Sequence, residues 1–155
     1  MSQIINHTYD EIQVGQTATY TREVTERDIQ LFAAASGDVN PLHLDPEFAA
    51  GTPFGECIAH GMLTGGFFSA ALAVALPGPG SLYRSQSLRF RLPVKIGDTV
   101  TVTLEVTEKK DRTKLVTLDC KATNQDGKLV TSGTAEVVAP TEKLTLVMPE
   151  IPAFP

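Results

Sequence analysis

The chain has 155 residues, 42% of them hydrophobic and 20% charged, which is typical of a globular protein that buries a sizeable core. Its 13 basic residues against 18 acidic ones give a net charge of −5, which excludes the basic surface of a nucleic-acid-binding protein. We expect one domain over residues 1–155. Two cysteines make no disulfide framework, and the N-terminus lacks the basic and apolar leader of a signal peptide. A cytoplasmic location is therefore expected.

The first predicted elements are a strand and a helix. The strand covers Thr17 to Val24, and Thr25 can cap a following helix together with Asp28, three residues on. Apolar residues with helical spacing predict that this helix covers Glu26 to Ala35, and Gly37 suits its end.

The segment from Asp38 to Leu44 is predicted to be a loop, because Pro41 cannot continue the preceding helix. Asp45 followed by Pro46 then favours a short helix that reaches about Ala50.

The longest predicted helix runs from about His60 to Leu76 and is apolar on nearly all sides, so it must be surrounded by protein. Its apolar stretch is shorter than the ~20 residues of a membrane-spanning helix. Proline and glycine at positions 77–80 end it.

The second half of the chain alternates apolar and polar residues, which predicts four antiparallel strands. They cover Leu82 to Arg91, Thr99 to Glu108, Thr113 to Asn124 and Lys128 to Ala139. The predicted class is α+β, with a sheet around one long apolar helix. The tail from about Pro140 holds four of the ten prolines and is expected on the surface or against a partner.

A carboxylate and an imidazole stand five residues apart in the proline-containing loop. Asp38 and His43 could share one water molecule and exchange protons with it, while Asn40 orients one of them or holds the loop. Spacing alone favours an ordinary turn, because Asp, Asn and Pro are common turn residues.

A second candidate is the sequence His60-Gly61-Met62 at the start of the apolar helix. Helix N-termini present free N–H groups, and Gly61 lets a ligand approach the backbone, which suits an oxygen that becomes negative. Close packing of the helix start is the alternative. The His60 side chain is expected to point away from the site.

These motifs together resemble one family. D-V-N-P-L-H at 38–43, H-G-M at 60–62 and L-P-V-x-x-G-D at 92–98 are similar in order and spacing to the MaoC-like dehydratases, most of all the bacterial (R)-specific enoyl-CoA hydratases. The resemblance extends from about Val14 to Val138. It implies the hot-dog fold, in which a curved antiparallel sheet wraps a long central helix, and a homodimer.

The resemblance also implies the roles of single residues. Asp38 and His43 would be the catalytic pair, Asn40 the asparagine of the catalytic loop, Gly61 the N–H donor to the thioester oxygen, and Ser69 a supporting polar residue on the central helix. Leu72, three residues after Ser69, is predicted to limit the acyl pocket to about four to six carbons.

The implied reaction is the reversible addition of water to a trans-2-enoyl-CoA, which gives a (3R)-3-hydroxyacyl-CoA for polyhydroxyalkanoate synthesis. It requires no metal and no cofactor, and the acyl-CoA is the only expected small-molecule partner. Cationic candidates for its phosphates are Arg84, Arg89, Arg91 and Lys95. A thioesterase and a non-catalytic acyl-CoA-binding module are the alternatives.

Overall fold

The computed structural model describes residues 2–155 and follows the predicted order of elements. The helices are α1 (Glu26–Ser36), α2 (Pro41–Leu44), α3 (Pro46–Ala50) and α4 (Gly61–Val74). The strands are β1 (Gln3–Ile5), β2 (Thr17–Glu23), β3 (Leu82–Gln86), β4 (Arg89–Phe90), β5 (Thr99–Lys110), β6 (Leu115–Thr123), β7 (Leu129–Val138) and β8 (Thr145–Val147). Among these helices, none combines the length and hydrophobicity needed to cross a bilayer.

A six-stranded antiparallel sheet packs around α4. Its strand order is β2-β5-β6-β7-β3, and β4 also pairs with β7. Strand β5 shows why the sheet has one apolar face: Val100, Val102, Leu104 and Val106 are all at most 1% exposed, and the residues between them face outward. With Phe67, Phe68 and Ala71 of α4 they form the core. The predicted α+β class and the hot-dog arrangement are confirmed.

Helix α1 begins and ends as its sequence predicts. The Asp28 N–H donates to Thr25 Oγ1 over 3.1 Å, and the Thr25 N–H donates to Asp28 Oδ2 over 3.0 Å, which completes a capping box. Gly37 ends the helix with a φ of 80°, a left-handed conformation that favours glycine. The chain leaves the helix at this glycine, and residues 38–40 follow it directly.

The prediction of a continuous loop from Asp38 to Leu44 is wrong. Residues 41–44 form the short helix α2, because Pro41 occupies a first-turn position where the missing N–H costs nothing. The Asn40 side chain caps this helix by accepting from the Leu42 N–H over 3.1 Å.

The strand predicted from Leu82 to Arg91 is divided in two. Strands β3 and β4 both pair with β7, and residues 87–88 between them belong to neither strand. Gly133 of β7 lies against this break: a Cβ at Gly133 would stand 1.8 Å from the Ser87 carbonyl oxygen. Beyond the break, Phe90 and Arg91 line the cavity described below.

The two ends of the chain pair with each other, an element that the sequence did not predict. Strands β1 and β8 form a separate two-stranded antiparallel sheet. The buried Asn6 side chain fastens it, since Nδ2 donates to the carbonyl oxygens of Pro79 and Glu142 and Oδ1 accepts from the Leu144 N–H.

Candidate active site

Three polar side chains converge beside the N-terminus of α4. Asp38, His43 and His60 each offer a carboxylate oxygen or ring nitrogen, and these atoms lie within 4.8 Å of one another. Asp38 is exposed, His43 half-buried and His60 buried. The imidazoles of His43 and His60 are stacked, with centroids 3.8 Å apart and planes inclined by 29°. Lone pairs in the planes of stacked rings do not converge on one point, so this geometry is poorly suited to binding one metal ion between both histidines.

The His43 ring is held at the end of α2 by a backbone contact. Its Nδ1 lies 2.7 Å from the Ile58 carbonyl oxygen. A carbonyl oxygen only accepts, so Nδ1 carries the hydrogen, and Nε2 of the neutral ring keeps a free lone pair. His43 is therefore oriented to take up a proton at Nε2.

Asp38 is held mainly by its own loop. Its N–H donates to Ser36 Oγ over 3.1 Å, and its Oδ1 accepts from the Asn40 N–H over 3.2 Å. Asn40 thus orients the carboxylate through its backbone and caps α2 through its side chain. The second carboxylate oxygen of Asp38 makes no contact with these loop groups and can accept a proton or a hydrogen bond.

His60 lies within this cluster, so the expectation that its side chain points away from the site is wrong. The residue is 2% exposed, and its Nε2 lies 2.9 Å from the Asp38 carbonyl oxygen. The Phe32 ring, tilted by 48° to the His60 ring, lies at a centroid distance of 4.7 Å from it. Sequence reasoning missed it because no spacing rule connects the start of α4 with a loop 22 residues earlier.

Gly61 opens α4, and no side chain caps this helix. Its first N–H groups have no partner inside the helix and carry partial positive charge. Packing also favours a glycine here, because a Cβ would stand 2.8 Å from the Phe90 ring unless that ring moved. The sequence left two explanations of Gly61 open, ligand access to the backbone N–H and close packing of the helix start, and each has a physical basis.

A cavity of about 380 Å³ joins these groups. Asp38, His43, His60 and Gly61 line one part of it, and largely apolar residues line the rest: Phe54, Ile58, Ala59, Met62, Thr64, Phe90, Leu92, Pro93, Val94 and Thr131. Arg91 also lines it and donates from Nε to Ser132 Oγ over 2.9 Å. Lys95, another of the four cationic candidates for the CoA phosphates, pairs with a carboxylate: its Nζ lies 3.7 Å from Glu56 Oε2.

A second cavity, of about 270 Å³, reaches His43 from the side of α1. It contains the free thiol of Cys57 and the carboxylates of Glu26 and Glu56. Burial, together with Asp45 and these two carboxylates, raises the pKa of Cys57, so the thiol stays protonated at neutral pH. The acidic lining does not suit the phosphates of a CoA.

Ser69 and Leu72 do not join the cluster within one chain. Ser69 is exposed on α4, whereas Leu72 is 2% exposed in the core, and neither lines either cavity. The two residues face different surroundings although they are three apart.

The family follows from comparison with known proteins. Residues 9–126 match the MaoC like domain. The protein belongs to the MaoC-like family, and the resemblance that its motifs indicate is confirmed.

Several relatives match over nearly their whole length. An (R)-specific enoyl-CoA hydratase of Rhodospirillum rubrum is 46% identical over 88% of this chain and 94% of its own. The unliganded structure of the R-hydratase PhaJ1 from Pseudomonas aeruginosa superimposes with a TM-score of 0.95 at 52% identity, covering 99% of both chains. An (R)-hydratase from Aeromonas caviae involved in PHA biosynthesis gives 0.81 at 45% identity, over 83% of this chain and 98% of that one.

Proposed function

We propose that this protein is an (R)-specific enoyl-CoA hydratase, a lyase that reversibly adds water across the double bond of a trans-2-enoyl-CoA to give a (3R)-3-hydroxyacyl-CoA. One observation carries the proposal: Asp38, His43 and the uncapped helix start at Gly61 line one partly apolar cavity. The (R)-hydratases among its relatives support the same reaction and its stereochemistry.

Asp38 and His43 would hold one water molecule between them. His43 offers the lone pair of Nε2 and Asp38 a carboxylate oxygen, so together they take a proton from the water as its oxygen bonds to C3. The same pair then returns a proton to C2. The water supplies both added groups, OH at C3 and H at C2, and delivery from one side gives syn addition.

Negative charge moves onto the thioester oxygen during this step. The Gly61 N–H at the start of α4 is the proposed donor to that oxygen, because a helix N-terminus supplies both a free N–H and partial positive charge. A donor that is already in place need not reorganise as the charge develops.

The CoA and the acyl chain of the substrate would extend in two directions from the thioester beside Gly61. We propose that Arg91 contacts a CoA phosphate, since it is the one cationic candidate that lines the cavity. Ser69 and Leu72 remain the proposed supporting residue and chain-length limit, with a preference for about four to six carbons. The product would serve polyhydroxyalkanoate synthesis, as in the relative from Aeromonas caviae involved in PHA biosynthesis.

A homodimer in the cytoplasm is part of the proposal. Large apolar side chains stay exposed in one chain: Met62 at 55% and Phe90 at 53% beside the cavity, and Leu82 at 57% on strand β3. Strand β3 is a sheet edge with unpaired backbone groups. A second copy that covers this face would bury both, and the two free cysteines suit a reducing compartment. Sedimentation equilibrium at several concentrations tests the assembly.

The experiment that tests the reaction follows the loss of absorbance of crotonyl-CoA. Asp38→Asn keeps the shape of the carboxylate, and His43→Asn keeps an N–H near the Ile58 carbonyl oxygen, but neither can act as a base. Each should lower kcat by about 10²–10⁴-fold. Asp126→Asn and His7→Gln are matched controls away from the cavity and should keep full activity.

Product analysis decides among the alternatives. Chiral chromatography of the product should show the (R) isomer, and a thiol reagent should detect no free CoA. Release of free CoA would favour a thioesterase. Saturable binding of crotonyl-CoA without turnover, unchanged when both residues are replaced, would favour a binding module.

A further inference from the structure

The residue with the most unusual surroundings in the cavity wall is His60, which has no role in the reaction proposed above. It is 2% exposed and stands immediately before α4, yet its side chain does not cap that helix. Its Nδ1 is buried and has no hydrogen-bond partner within residues 2–155. A buried acceptor without a partner destabilises a fold, so packing alone would favour an apolar ring here.

One edge of His60 anchors the loop that carries Asp38. Nε2 lies 2.9 Å from the Asp38 carbonyl oxygen, and since that oxygen can only accept, Nε2 carries the hydrogen. In the described part of the chain, the other hydrogen bonds of residues 37–40 join groups at most four residues apart. The bond from His60 therefore connects this loop to the rest of the fold.

The face of His60 supports the other member of the pair. The Ile58 carbonyl oxygen holds His43 in the plane of its ring, and the stacked His60 ring limits movement perpendicular to that plane. Phe32 packs against His60 in turn at a centroid distance of 4.7 Å. His43 is thus restrained in two directions by different groups.

The third connection is covalent. The peptide bond between His60 and Gly61 contains the N–H proposed to bind the thioester oxygen, so any shift of His60 also moves that donor. We propose that His60 is a positioning residue that fixes Asp38, His43 and the Gly61 N–H relative to one another. This inference rests on the proposed hydratase function.

Two substitutions separate the contributions of His60. His60→Phe keeps an aromatic ring against His43 and removes the unpartnered Nδ1, but it loses the donor to Asp38. His60→Gln can place an amide N–H near the position of Nε2 but loses the stacked ring. His7→Gln, a histidine away from the cavity, is the matched control.

We expect His60→Phe to lower kcat for crotonyl-CoA by about 10–100-fold, because small displacements of reacting groups have large effects on rate. KM should stay within about threefold, since the cavity keeps its lining. His60→Gln should recover part of the loss, and the melting temperature of His60→Phe should exceed that of His60→Gln. Activity and stability would then rank the two variants in opposite orders.

Two results would overturn the proposal: a kcat for His60→Phe within about threefold of the wild type, or a loss of kcat that follows the loss of melting temperature across the variants. Nitrogen-15 NMR of the imidazole rings gives a readout independent of turnover. The His43 ring should carry its hydrogen on Nδ1 in the wild type and in His60→Phe, which keeps a ring against it, and become a mixture of tautomers in His60→Gln, which loses the stacked ring. If the wild type does not hydrate crotonyl-CoA, the proposed function fails, and an unchanged His43 spectrum would then refute the positioning role separately.

Discussion

Replacing Gly61 with alanine distinguishes two reasons for a glycine at the start of α4. The added Cβ would stand 2.8 Å from the Phe90 ring, whereas ordinary contact begins near 3.4 Å, so the ring must retreat by roughly 0.6 Å. Phe90 is 53% exposed and can turn towards solvent. We therefore expect the free energy of unfolding to fall by less than about 1 kcal/mol, below the roughly 1–3 kcal/mol that overpacking costs in a rigid core.

The effect on activity should be larger than the effect on stability. The methyl group would project beside the N–H that is proposed to bind the thioester oxygen. Complete loss of such a donor lowers kcat by about 10²–10³-fold, and a partly obstructed donor should lower kcat/KM by about 10–100-fold. Crotonyl-CoA hydration measures the activity, and urea unfolding of the same samples measures the stability.

The double variant Gly61→Ala with Phe90→Ala completes the test as a double-mutant cycle. If removing the ring restores full activity, the loss came from packing against Phe90, and access to the N–H was not the cause. Full activity of Gly61→Ala by itself would refute the role of this N–H in catalysis.

Three further predictions concern the framework. Phe68→Ala removes a fully buried ring and should lower the free energy of unfolding by about 3–5 kcal/mol in urea; a change under about 1 kcal/mol would contradict the core described here. Gly133→Ala forces a Cβ against the Ser87 carbonyl and should lower the free energy of unfolding by about 1–3 kcal/mol. An unchanged melting temperature, followed by circular dichroism, would contradict this close approach. The Thr8 N–H and the Lys143 ammonium lower the pKa of Glu11 from 4.5 to about 2. The ionised Glu11 contributes its full stabilisation above pH 4.5 and loses it as the pH falls through about 2. In Glu11→Gln the melting temperature should therefore decline less steeply over this acidic range. An unchanged decline would disprove the contribution of Glu11.

The sequence predicted the parts of the fold that depend on local pattern. Strand β5 alternates apolar and polar residues along most of its length, and α1 carries its cap and its terminating glycine, so neighbouring residues were enough to predict both. The division of β3 from β4 depends on the approach of Ser87 to Gly133, and the pairing of β1 with β8 joins opposite ends of the chain. Neither leaves a local pattern.

The candidate site divides in the same way. Asp38 and His43 lie in one short motif and could be named from the sequence, and they are brought together in the structure. The contacts of His60 cross between separate segments, to residues 38 and 43, and could not be predicted from spacing. The surroundings of Ser69 and Leu72 depend on which faces of α4 are covered, a property that an almost uniformly apolar helix does not reveal in its sequence.

The pairing of β1 with β8 makes the chain a nearly closed ring. Residues 3 and 147 are partners, and the Met148 N–H donates to the Ser2 carbonyl oxygen over 2.9 Å, so the backbone at residue 2 lies beside that at residue 148. A short linker could therefore join them, and new ends could be opened in the exposed turn at 125–127 between β6 and β7. Such a circular permutant would keep the order of strands around α4. A fusion partner or a tag could then be attached at the new ends instead of the original ones.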